Sequence, residues 1–215
     1  MPENSREHLI SVASEMMYRR GYASVNVTEV VKTAGISRAQ FYRLIDSKAA
    51  LGAEVIARFA EKRQTMLDRA LHAEVPIRGQ IQRMFSLLQQ EQLASHTEFG
   101  HCVGSSFARF AGEAGEDDAP LLAAVEAGYS AWRGRLAAAL RSATERGEIQ
   151  IPDPNFPASA IVAYAEGVLA VSRSANNPAV VRALAPAAMS LLIDRRATGA
   201  WPLILLSSGS IAAAK

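Results

Sequence analysis

Two short helices separated by a tight turn constrain this chain more than any other feature of its sequence. Asn26 followed three residues later by Glu29 has capping-box spacing, in which each side chain satisfies a backbone N–H of the other. The helix they open reaches Ala34 before Gly35 stops it, and Ser37 followed by Gln40 opens the next. Asp46 or Ser47 then caps a longer helix beginning at Lys48, with Leu51, Val55, Phe59 and Met66 at apolar spacings. Upstream, Asn4 and Glu7 suit another capping box ahead of Leu9, Ala13, Met16 and Met17. The spacing predicts a helix over residues 5–20, ended at Gly21.

Helical periodicity continues to residue 196. Pro76 suits a first helical turn ahead of Ile77, Ile81, Met84, Phe85 and Leu88, which mark a helix to about Leu93. Residues 96–118 contain four glycines and the acidic run Glu116, Asp117, Asp118, and read as a bend with a short helix over residues 105–111. The longest stripe follows: Leu121, Val125, Gly128, Tyr129, Trp132, Leu136 and Leu140, closed by Gly147. Asp153-Pro154 starts a helix carrying Ile161, Tyr164, Ala165, Val168 and Leu169 up to Ser174. Asn177-Pro178 starts the last, with Val181, Leu184, Ala188, Leu191 and Leu192, over residues 178–193. No strand pattern competes before residue 200, so the expected class is all-α, with about nine helices. Residues 197–215 are expected to be a frayed or peripheral tail.

Hydrophobic residues at 49% and charged residues at 20% suit a packed globular core. No apolar run approaches the ~18 residues that cross a bilayer, and the first twenty residues lack a secretion-signal pattern, so a cytoplasmic location is expected. The single cysteine, Cys102, excludes an intramolecular disulfide and any multi-cysteine zinc site, and no metal or cofactor is expected. The formal net charge of +2 is unevenly spread. Residues 1–63 hold ten Lys or Arg against seven Asp or Glu, and the remainder thirteen against fourteen, so the excess lies in the N-terminal part. That favours an anionic partner there, although so small an imbalance also arises by chance.

The two short helices have the form of a helix-turn-helix, whose second helix enters the DNA major groove by its N-terminal end. Val30, Val31, Ala34, Ile36, Phe41 and Leu44 supply apolar contacts between them, while Thr28, Ser37, Arg38, Gln40, Tyr42, Arg43 and Lys48 remain polar. Arg38 and Gln40, in the first turn of the second helix, are the types that read guanine and adenine edges. Thr28, Tyr42, Arg43 and Lys48 suit phosphates. Read from spacing alone, the same residues also fit the solvated face of an ordinary helical hairpin.

The stretch Gly21-Tyr22, Val27-Thr28-Glu29-Val30-Val31, Ala34-Gly35-Ile36-Ser37, Phe41-Tyr42, Ser47-Lys48 and Leu51 resembles the N-terminal signature of the TetR family of transcription regulators, over about residues 5–58. The resemblance implies a DNA-binding domain at residues 1–47, a helical ligand-binding and dimerisation domain at 48–196, and a tail at 197–215. It further implies a cytoplasmic homodimer joined through its last two helices (residues 161–174 and 178–193), which represses from a palindromic operator and leaves it when a small-molecule effector binds. Gly100-His101-Cys102-Val103-Gly104 is similar to the Gly-Cys-x-x-Gly element of a subgroup that senses electrophiles, but here His101 stands where that element has its cysteine.

His101, Cys102, Phe107, Phe110, Tyr129, Trp132, Tyr164 and Glu166 are candidates for a cavity of apolar walls with a few polar groups; each also suits plain core. Two other function classes stand beside the repressor. An enzyme using Cys102 with His101 lacks a third orienting group, and adjacent side chains on a helix diverge. A helical interaction module without sequence-specific DNA binding differs from a repressor in not depending on Arg38 and Gln40.

Overall fold

Local capping decides where most helices begin. In a computed structural model that describes residues 2–192, the side chain of Asn26 accepts from the Glu29 N–H at 2.9 Å while the Glu29 carboxylate takes the Asn26 N–H, opening α2 (Val27–Thr33). Ser37 accepts from the Gln40 N–H at 3.1 Å and opens α3 (Arg38–Leu44). Ser47, rather than Asp46, caps α4 (Lys48–Ala70). In each case the cap side chain accepts from the N–H of the helix's third residue, one of those that a helix start leaves without a backbone partner. Ahead of them, α1 spans Pro2–Arg20, so the helix already includes Asn4 and that residue is not its cap.

Beyond α4 lie α5 (Ile77–Phe99), α6 (Ser106–Glu113), α7 (Ala119–Glu145), α8 (Asn155–Ser174) and α9 (Ala179–Leu184), then a 3-10 segment, Ala185–Leu192. Among the described residues there is no strand, and no helix is long and apolar enough to cross a membrane. Two later boundaries also differ from the expectation. α5 continues past Leu93 to Phe99, because its last inward-facing residues are polar and interrupt the apolar stripe. Gln92 and Ser95 are buried: Gln92 holds both the N–H (2.8 Å) and the carbonyl (3.1 Å) of Gly104, and Ser95 Oγ accepts from the Val103 N–H. The final helix ends at Leu184 instead of running on. Pro186 has no N–H to give to the Arg182 carbonyl and its ring crowds that carbonyl, so the chain tightens into 3-10 geometry. The expected tail at 197–215 lies outside the described residues.

α4 and α7 form the most extensive helix pair and cross both halves of the molecule. One buried cluster joins Leu9, Met17, Val30, Phe41 and Ile45 of the first three helices to Leu51 and Val55 of α4, Phe107 and Phe110 of α6, and Leu121 and Val125 of α7. The other joins the far ends of α4 and α7 to α5, α8 and α9, around the fully buried Trp132. α1–α3 therefore make a head whose core is completed by the body behind it.

Candidate nucleic-acid interface

The turn between α2 and α3 is drawn tight by the Ile36 N–H on the Val31 carbonyl, with Gly35 left-handed at φ 67°. Burying Val30, Val31, Ala34 and Phe41 behind it turns the remaining side chains outward. Thr28, Ser37, Arg38, Tyr42 and Arg43 are exposed and Gln40 is half-buried. The Arg38 guanidinium lies 5.8 Å from the centre of the Tyr42 ring, one helical turn on, and Tyr42 itself leans edge-on against the buried Phe41. Ser37 uses its hydroxyl as the α3 cap. Lys48 stands apart. Its ammonium lies over the Tyr22 ring at 4.3 Å and donates to the Ala23 carbonyl at 3.4 Å, and burial holds its pKa below the usual lysine value.

Behind this face, the α1–α2 turn is gripped by α6 and the α6–α7 bend. Tyr22 donates its hydroxyl to Asp118 at 2.5 Å, and Asp118 also takes the Gly115 N–H. These two bonds hold the Asp118 carboxyl below its ordinary range, while burial and then the Asp118 bond raise Tyr22. Glu113 accepts from the Ala23 N–H at 2.8 Å and pairs with Arg109, which reaches the Tyr18 carbonyl. Gly21, at φ 91°, turns the chain here, and a Cβ on it would lie 2.5 Å from the Glu113 carboxylate. This seam is not legible in the sequence. In the sequence Asp118 reads only as part of an acidic bend, and nothing in its spacing places it beside Tyr22.

The candidate ligand residues are spread over the body, with Tyr129 packed on Phe107 and beside Glu166. Phe110 and Trp132 are buried in core; Tyr164 donates to the Leu184 carbonyl at 2.7 Å and packs on Phe85. Cys102 is buried, with its backbone N–H on Asn176, while the His101 ring turns to the Phe99 carbonyl. Glu166 accepts from Ser105, the α6 cap, at 2.9 Å, and Tyr129 lies close enough to be raised, after burial, by its charge. Burial raises the Glu166 carboxyl despite Ser105 and Arg63. The guanidinium of the buried Arg63 stacks on Trp132 at 4.8 Å. Of these candidates only Phe107 lines a cleft of about 640 Å³, which opens between α1 and the body and is walled by residues the sequence did not single out, Tyr18, Phe59 and Phe99 among them. Among the described residues, no group of three or more His, Cys, Asp or Glu is arranged to hold a metal ion.

Residues 9–55 match the model of bacterial regulatory proteins, tetR family. The transcriptional regulator AcuR of Cereibacter sphaeroides is 28% identical over 172 residues, 78% of this chain and 77% of that protein. Residues 9–55 are thus of the tetR type, and the rest of the chain is similar to a transcriptional regulator. The HTH-type transcriptional repressor NemR of Escherichia coli K12 is 26% identical over 103 residues, 46% of this chain and 50% of that one. A crystal structure of regulatory protein TetR from Rhodobacter sphaeroides shares the fold, with a TM-score of 0.73 at 22% identity over 88% of this chain and 99% of that one. The curated relatives that the chain resembles are named as transcription regulators.

Proposed function

We propose that this chain is a homodimeric, sequence-specific repressor of the tetR family that binds a palindromic operator through α3 and leaves it when a small-molecule effector binds. The observation that carries the reading is the state of the cations in the N-terminal part. Arg6, Arg20, Arg58 and Arg63 each pair with a carboxylate. Arg38 and Arg43, on the exposed side of α3, pair with none among the described residues. A guanidinium fork left without a carboxylate on an exposed helix is free for a guanine edge or a phosphate. In this reading Arg38 and Gln40 read bases, and Thr28, Ser37, Tyr42 and Arg43 hold phosphates. Lys48 joins them only by leaving the Tyr22 ring. Residues 1–47 are the DNA-binding domain, and the helical body from residue 48 onward carries the dimer and effector functions in the cytoplasm.

The dimer reading rests on the outward side of α8, where Phe156, Ala163, Gly167, Ala170 and Val171 are exposed in one stripe, Phe156 by 76% and Val171 by 50%. Beyond α8, Leu184 and Ala187 are exposed as well. A continuous apolar stripe of small residues suits close approach of the same stripe on a second copy.

Fluorescence anisotropy on duplexes from DNA flanking the gene tests the base-reading assignment. Arg38→Ala and Gln40→Ala, with circular dichroism unchanged, are each expected to lose about 1–3 kcal/mol of operator binding. Undiminished affinity in both variants contradicts the assignment.

A further inference from the structure

The cleft of about 640 Å³ lies between α1 of the head and α5 and α6 of the body, with α4 as its floor. Its volume falls within the roughly 300–1,000 Å³ of small-molecule sites. Three aromatic rings meet in it: Tyr18 packs edge-on against Phe59 at 5.8 Å and against Phe99 at 6.1 Å. Aromatic faces attract cations, and two of the chain's own already lie over these rings, Arg19 over Phe99 at 5.6 Å and Lys62 over Phe59 at 6.0 Å.

The charges lining the cleft are unequal. Arg58 is paired with Glu7 and Arg63 with Glu91, and these four cancel. Glu15, Glu61 and Glu98 have no cationic partner among the described residues, against Lys62 alone on the other side. Burial in the cleft pushes the Tyr18 hydroxyl up to about 12, with Glu91 adding to it, Arg63 opposing and Glu98 adding least.

We propose that this cleft binds an organic cation with a bulky aromatic or hydrocarbon body, its charge held by Glu61 and Glu98 and its apolar part by Tyr18, Phe59 and Phe99. Because α1 forms one wall and α5 and α6 the other, the bound cation fixes how the head sits on the body. The consequence for DNA rests on the regulator reading above; the binding itself does not.

Calorimetric titration of the full chain with tetraphenylphosphonium and tetraphenylborate, ions of matched shape and opposite charge, tests it. The cation is expected to bind once per chain and at least about tenfold more tightly than the anion. The double variant Glu61→Gln, Glu98→Gln is expected to weaken the cation about tenfold. Both side chains are exposed, so glutamine preserves the surface. Equal binding of the two ions, or cation binding indifferent to both substitutions, overturns the site. Slower hydrogen exchange in α1 with the cation bound supports the wedge, and unchanged exchange overturns that part. A chain that binds the cation but no operator overturns the regulator reading and leaves the site standing.

Discussion

Asn26, Glu29 and Arg20 form a small polar knot at the start of α2: Glu29 serves the cap and at the same time takes the Arg20 guanidinium at 3.1 Å. Asn26→Ala is expected to cost about 1 kcal/mol, read as a lower denaturation midpoint with an unchanged slope. On α3, Arg43→Ala is expected to weaken binding alike on all DNA sequences and to reduce the salt slope by about one, whereas Arg38→Ala relaxes base preference. Glu166 supplies a pH test. Its folded pKa is raised by burial, so its share of stability is complete below the unfolded value and is lost as pH rises through the folded one. Glu166→Gln, which can still accept from Ser105, is therefore expected to raise the melting temperature at neutral pH by a few degrees, the shift that ~1 kcal/mol gives in a chain of this size. The gain should vanish in acid. Caps of this kind are legible in a sequence because they depend on residues three apart: Asn26 and Ser37 cap as their spacing indicates and Ser47 is one of the two residues it offers, whereas Asn4 has the spacing and lies inside α1. The burial of Glu166 is not legible, since α8 alone does not reveal that Ser105 and Tyr129 close over it.

At the scale of elements, α4 and α7 approach closely where Gly52 faces Tyr22 and Leu121. A Cβ at Gly52 would lie 2.8 Å from the Tyr22 ring. Gly52→Ala is expected to destabilise by about 1–3 kcal/mol through overpacking, seen in thermal melting, although alanine is the better helix former. The same ring carries the Asp118 bond, so the seam can be loosened without touching the core. Asp118→Ala is expected to speed hydrogen exchange over residues 22–25 while leaving α8 unaffected. Helix existence was readable throughout from apolar spacing. The two ends that were not show why: Gln92 and Ser95 are buried but polar, so α5 loses its stripe before it loses its helix. Pro186 acts through a missing N–H that leaves the apolar spacing of Leu184, Ala188 and Leu191 intact.

For the whole molecule, the stripes show that helices bury a face but not against what. Phe110 and Trp132 are buried in different core clusters, while Tyr18 and Phe99, from helices far apart in the chain, meet in the cleft. The exposed stripe on α8 is the complementary case, an apolar face that the described chain leaves uncovered. Val171→Glu is expected to yield a monomer by light scattering, with the fold retained and palindrome affinity lost. The central claim, a paired head reading a two-fold site, is tested most directly by titrating the chain against its own upstream palindrome, one isolated half-site, and a scrambled duplex at physiological salt. The account predicts two chains per palindrome, a much weaker half-site, and at least about a thousandfold preference over the scrambled duplex. Equal affinity for all three, or none for any, would contradict it.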